Sequence, residues 1–353
     1  MPFRDIAGHR LTLGLLARAV AMGTLPPSLL FTGPRGVGKR RTALAVAQAL
    51  NCLSPRSDVR LPGNGDASEA TLAIDACGVC AVCSRITRGL YSDVIVVEPD
   101  AETGNIKVDP VRDVLERVVY RPYEGRRRVV IIDEAETLWQ SAQNALLKTL
   151  EEPPSSSVFV LVTAHPDDLL PTVRSRCPAV RFAPLSSAEI AVHLRTAHGV
   201  SAEVAHAAAA AGAGSVGAAL DWGTEAVTAI REGARQMLER LARSRTVRDR
   251  LAAAQAIVGK TPKGFGAGER ESVAMHLRVV QTMLRDLGVL STSAEGCALA
   301  NADLAAVLTG LRPAFDHARL VHAFTAVHEA IEALGPTRNG SPKIVADWVA
   351  LRI

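Results

Sequence analysis

The stretch SLLFTGPRGVGKRRTALAVAQAL, Ser28 to Leu50, carries three signals in a row. Ser28 to Thr32 is a short apolar run that ends at a glycine, the pattern of a buried parallel strand. Gly33 to Lys39 fits G-x-x-x-x-G-K, with Gly36 and Gly38 inside it. Lys39 to Leu50 is rich in Ala and Leu and predicts a helix. Strand, glycine-rich loop and helix form the opening unit of an α/β domain. In such a loop the glycines let backbone N–H groups turn inward around phosphate. The helix adds its positive end, and the lysine reaches the terminal phosphates.

The residue after Lys39 breaks the pattern. Ser or Thr is needed there, because its hydroxyl holds Mg²⁺; this chain has Arg40, then Arg41. A guanidinium cannot ligate Mg²⁺ and adds positive charge at the metal's place. Thr42 supplies a hydroxyl only if the register shifts. The loop is therefore expected to be retained in structure and impaired in catalysis: ATP with Mg²⁺ is not expected in it, and phosphate binding without turnover stays open.

Working outward, apolar runs at Asp93–Val97, Arg128–Ile132 and Val158–Val162 predict further strands. Asp133 and Glu134 stand at the tip of the second, where a metal-orienting and a water-activating acid belong. The competing account is a helix start that favours acids. Apolar residues at helical spacing predict a helix over Glu134–Glu152, stopped by Pro153 and Pro154. Residues 53–75, rich in Pro, Gly, Ser and Asp, predict an irregular excursion. After Pro184 the pattern is helical to the end. The expected domains are an α/β domain over 1–184, a small helical domain over 185–224 and a larger helical one over 225–353.

Cys77, Cys80 and Cys83 form two overlapping C-x-x-C units, and Cys52 lies at the end of the first helix. Four thiolates at this spacing suit a closed, structural Zn²⁺ shell; a redox C-x-x-C and unliganded thiols are the rivals. Cys177 is expected to serve packing and Cys297 to be a core thiol. Arg126, Arg127 and Arg128 precede a strand and are expected to be a solvated edge, with contact to DNA phosphate as the alternative.

Composition limits the rest. The chain has 353 residues, 48% of them apolar, a net charge of +4 and only 4% aromatics. Real cores are expected, and base-stacking recognition is not. The N-terminus is charged and lacks an apolar stretch, so it is not expected to be a signal peptide, and a cytoplasmic setting is expected. No membrane partner is expected, because Arg195, Glu203 and several Gly interrupt the apolar run 194–220.

Taken together, NALLKTLEEPP (Asn144–Pro154), VFVLVTA (Val158–Ala164) and Ser175-Arg176-Cys177 resemble the clamp-loader branch of the AAA+ ATPases. With the altered loop, the cysteine module and DEAE (Asp133–Glu136), the chain is similar to the bacterial DNA polymerase III clamp-loader subunits, and among them to the delta-prime type. The resemblance implies an AAA+ P-loop domain with a zinc module over 52–83, a helical lid and a helical collar. It implies that Arg176 is an arginine finger acting in trans, and that Gly33, Gly36, Gly38, Lys39, Asp133, Glu134 and the sensor position Thr163 form a degenerate nucleotide site. The implied partners are the gamma/tau motor and delta subunits, the sliding clamp and, through the complex, primer–template DNA. The alternative within the family is a gamma/tau-like motor. Two departures oppose it: Arg40, and Gly217 in Gly214-Ser215-Val216-Gly217, where motors carry Gly-Ser-x-Arg.

Overall fold

A computed structural model describes residues 1–61, 71–222, 225–259, 269–292, 297, 299–335 and 340–353. They divide into two compact units, Met1–Glu189 with Ser215–Gly217, and Ile190–Gly214 with Ala218–Ile353.

The first unit is a parallel sheet flanked by helices. Its strands are β1 (Ser28–Thr32), β4 (Val94–Val97), β5 (Arg128–Ile132), β6 (Ser157–Thr163) and β7 (Ala179–Arg181). They run in the order β4-β5-β6-β1-β7, and every neighbouring pair is parallel. All residues of β5 and β6 are buried, as expected of central strands covered on both faces. Successive side chains point to opposite faces, so the sheet separates two cores. Phe31, Ile131, Val158 and Val160 pack with Leu13 and Leu16 of α1 (Arg10–Ala21) and Val46 of α2 (Lys39–Asn51). Leu30, Val130, Ile132 and Leu161 pack with Val111 of α4 (Val108–Val118) and Leu146 of α5 (Gln140–Glu151). Burying an aliphatic side chain of this size contributes about 1.5–3 kcal/mol. Thr32 is level with Thr163, and Ile132 with Val97 and Leu161, so the residues after these strands share one edge of the sheet.

Four expectations are corrected. The excursion is not wholly irregular: β2 (Arg56–Arg60) and β3 (Thr71–Asp75) pair antiparallel, while residues 62–70 lie outside the described residues. Leu72 of β3, completely buried, supplies the apolar contact that the local composition hid. The helix expected from Glu134 starts only at Gln140, because Glu134 is left-handed (φ 47°) and a 3-10 turn over Ala135–Thr137 intervenes. Arg128 is buried, not solvated. Its guanidinium pairs with the fully buried Asp93 at 3.1 Å and donates to the carbonyls of Tyr120 (2.9 Å) and Arg121 (3.1 Å). Cys297 is exposed, so it is no core thiol; Cys177 is buried, as a packing residue should be.

Among the described residues the second unit is all-helical. It takes in α7 (Ser187–His198) from Ile190, α8 (Ala202–Ala211), α9 (Val216–Asp221) from Ala218, α10 (Glu225–Arg243), α11 (Val247–Ala254), α12 (Glu269–Thr292), α13 (Ala305–Leu311), α14 (His317–Ala333) and α15 (Pro342–Arg352). The long α12 buries Val273, Leu277, Val280, Met283 and Leu284, and packs against α10 and α14. Among the described residues no helix is long and apolar enough to cross a membrane.

Candidate functional site

The loop after β1 has the backbone of a phosphate cradle. Gly33, Gly36 and Gly38 all lie at positive φ (141°, 71° and 108°), which side-chain-bearing residues rarely adopt. A Cβ on Gly33 would fall 2.1 Å from the Phe182 carbonyl oxygen, and one on Gly36 would fall 2.2 Å from Ser215 Oγ. The Gly36 carbonyl accepts the N–H of Gly217 at 3.0 Å, so Ser215–Gly217 is seated directly on the loop.

Lys39 opens α2 and is buried. Its Nζ donates to the carbonyls of Gly33 and, at 2.6 Å, Pro34, so the ammonium is turned back on its own loop. Burial lowers its pKa to about 8, against the pull of Glu136 and Asp133. The amine that would meet a phosphate is engaged by backbone oxygens.

The acids at the sheet edge meet arginines. Arg40 Nη1 lies 3.3 Å from Asp133 Oδ2 and also pairs with Glu98, the residue after β4. Arg35, inside the loop, pairs with Glu134 at 2.7 Å. Burial raises the Asp133 carboxyl above its usual range, and Arg40 works against that shift. Thr42 donates its hydroxyl to Gly38 O at 2.9 Å, so it does not replace the missing Mg²⁺ ligand. The buried Thr163 ends β6 and accepts the His165 N–H at 3.0 Å. With guanidinium groups on both acids and no hydroxyl at position 40, this donor set does not fit a hydrated Mg²⁺.

The four cysteines gather into one cluster, with all Sγ atoms within 4.8 Å of one another. Cys77 and Cys83 sulfurs stand 4.0 Å apart. A tetrahedral zinc with Zn–S of about 2.3 Å requires sulfurs about 3.8 Å apart, so the set fits a metal. Backbone N–H groups aim at the sulfurs: Cys77 N–H at Cys52 Sγ (3.2 Å) and Cys80 N–H at Cys77 Sγ (3.3 Å). Burial opposes ionisation of Cys80, yet the N–H groups of Cys83 and Leu53 help bring its thiol down to about 6. The cluster joins the end of α2 to the end of β3 and to α3 (Ala81–Thr87).

Arg176 lies outside this constellation. It follows α6 (Pro171–Arg174), and its side chain is about one-third exposed (31%). Nη1 donates to Thr172 O at 2.8 Å, and Nη2 pairs with Glu151 at the end of α5. Thus the structure brings Gly33, Gly36, Gly38, Lys39, Asp133 and Glu134 to one edge, gathers the four cysteines elsewhere, and sets Arg176 apart. Sequence reading missed the roles of Arg35, Glu98 and Glu151. Arg35 stands inside the loop and Glu98 directly follows a strand, so both were open to notice.

A family model described as DNA polymerase III, delta subunit, matches residues 8–186. The chain belongs to the DNA polymerase III delta subunit family. The family match spans the glycine-rich loop, the four cysteines, the acids that follow β5 and Arg176. The chain is 38% identical across 175 residues to DNA polymerase III subunit tau of Salmonella typhimurium, covering 50% of this chain and 24% of that protein. It is 35% identical across 188 residues to subunit tau of Bacillus subtilis, covering 53% of this chain and 30% of that protein. The chain thus spans less than a third of the length of either relative. A gamma subunit-related protein from Thermotoga maritima aligns over 97% of this chain and 98% of its own at 16% identity, with a TM-score of 0.38, too distant an overlay to add to the strand order.

Proposed function

We propose that this chain is a delta-prime-type, non-hydrolysing subunit of a DNA polymerase III clamp loader, which acts on a neighbour's ATP and not on its own. The observation that carries this reading is the pairing of Arg40 with Asp133 and Glu98. A cation of the chain itself stands where an ATPase needs Mg²⁺ and a hydroxyl. The capture of Lys39 by loop carbonyls and the seating of Gly217 on Gly36 support it.

In this reading Arg176 reaches the phosphates bound by an adjacent gamma/tau motor and stabilises charge in the transition state. Arginine fingers contribute roughly 10³–10⁵ in rate. Residues 185–224 serve as a lid and residues 225–353 as a collar joining the subunits. Delta, the sliding clamp and, through the complex, primer–template DNA complete the partners, in the cytoplasm. The cysteine cluster holds one structural Zn²⁺, ligated by Cys52, Cys77, Cys80 and Cys83.

The second reading, a gamma/tau-like motor, is favoured by the names of the curated relatives. ATP turnover by the purified chain with Mg²⁺, beside an Arg40→Thr variant, separates the two. No turnover by the native chain agrees with the delta-prime reading. Clear Mg²⁺-dependent turnover overturns it in favour of the motor.

A further inference from the structure

The position of Arg176 in the isolated chain is set by a second acidic motif. The α5–α6 platform is tightly fixed. The buried Gln143 of α5 accepts the Leu170 N–H at 2.7 Å where α6 begins, and Val173 and Cys177 are both buried. Pro153 and Pro154 stop α5, which keeps Glu151 in its last turn. On this platform Arg176 Nη2 meets the Glu151 carboxylate, while Nη1 is held by Thr172 O at 2.8 Å and by Ser175 Oγ at 3.3 Å. Both ends of the guanidinium fork are therefore engaged within the chain. An arginine that acts on phosphate presents that same fork bidentately.

We infer that Glu151 is a latch on Arg176, a positioning residue that holds the finger in cis until a neighbour's phosphates displace it. This inference rests on the finger reading given above. The exchange is one carboxylate for a phosphate group of higher charge, so it runs forward once nucleotide is in place. The latch is half exposed, with side-chain exposures of 31% for Arg176 and 48% for Glu151. Exposed ion pairs are weak, so the bias against the free finger is roughly two- to five-fold. A stronger latch would defeat the finger.

The test is the ATPase rate of the complex reconstituted with the tau/gamma subunits of the same organism, without DNA, for wild type, Glu151→Gln, Arg176→Ala and the double variant. Glu151→Gln keeps an acceptor and removes the charge. The expected result is a rise of roughly two- to five-fold for Glu151→Gln, a fall for Arg176→Ala, and no effect of Glu151→Gln in the Arg176→Ala background. A merely structural role for Glu151 would persist in that background. The rise should also shrink as salt is raised, because screening weakens the wild-type pair. If Arg176→Ala lowers the rate but Glu151→Gln leaves it unchanged or lowers it, the latch is wrong and the finger stands. If Arg176→Ala has no effect, the finger reading fails and the latch with it. Equal melting temperatures for the isolated variants confirm that folding is not the cause.

Discussion

Arg40 and Asp133 face each other at 3.3 Å across the edge of the sheet, and the same guanidinium also takes Glu98. In the proposed reading the arginine stands in for the divalent cation that an active site would place between the loop and these acids. Arg40→Thr should remove this internal cation and leave two neighbouring carboxylates in need of one. The expected outcome is that Mg²⁺ raises the melting temperature of Arg40→Thr and leaves wild type unmoved. Without Mg²⁺ the substitution should cost at most about 1 kcal/mol, since the pair is partly exposed. Thermal melts with and without Mg²⁺ check both statements; an equal response of the two proteins would refute the first.

The glycine-rich turn after β1 was legible because its glycines are fixed by backbone conformation, a local demand that spacing records directly. The central strands were legible because burial on both faces leaves unbroken apolar runs such as Val129–Ile132. Arg128 was misread for a physical reason. A run of three arginines signals solvent, and the partner that buries the third, Asp93, lies 35 positions upstream. β2 was hidden because its residues are nearly all exposed, so no apolar alternation marks it. Glu151 looked like part of an ordinary helix end; only the packing of α5 on α6 brings it to Arg176.

Asp93 predicts both a mutational and a pH effect. It is fully buried and accepts the N–H groups of Tyr123 (2.8 Å), Glu124 (2.9 Å) and Gly125 (2.8 Å) besides its pair with Arg128. Burial alone would raise its carboxyl pKa, but these donors and Arg128 hold it below the usual range. Asp93→Asn should cost about 3–5 kcal/mol, because it leaves the buried Arg128 uncompensated. The folded-state pKa is depressed, so the stabilisation is complete above the unfolded value of about 3.9 and is lost as pH falls through the folded one. Urea unfolding of both proteins between neutral pH and pH 3 should therefore show the gap narrowing only in acid.

His276 makes the opposite kind of site in the helical unit. It is buried in α12, with Nδ1 2.8 Å from Ser272 O, and burial lowers its pKa. A neutral ring is thus favoured in the fold. As pH drops below the unfolded value of about 6.5, the unfolded chain takes the proton first and stability declines until the lower folded pKa is reached. Gly233 packs against this ring: a Cβ there would lie 2.9 Å from His276 Nε2 and 3.1 Å from Ala256 O. Gly233→Ala should therefore destabilise by about 1–3 kcal/mol through overpacking, despite the better helix propensity of alanine. A variant at least as stable as wild type would show that the crossing of α10 and α12 is looser than described.

The cysteine cluster ties three separate segments, and its loss should be felt beyond the four sulfurs. Cys83 is buried, and its carbonyl accepts the Gln48 side chain of α2 at 2.8 Å, so the cysteine cluster and the helix behind the glycine-rich loop share one framework. Purified protein is expected to carry about one Zn²⁺ per chain by elemental analysis. If binding contributes at least ~3 kcal/mol to folding, chelation should lower the melting temperature of the first unit by roughly 6–12 °C. Cys83→Ser should lower zinc content and melting temperature together, and added chelator should then have little further effect. A folded, metal-free wild type with an unchanged melting temperature would mean that the thiols serve packing alone, because the N–H groups aimed at the sulfurs would then suffice to hold the cluster.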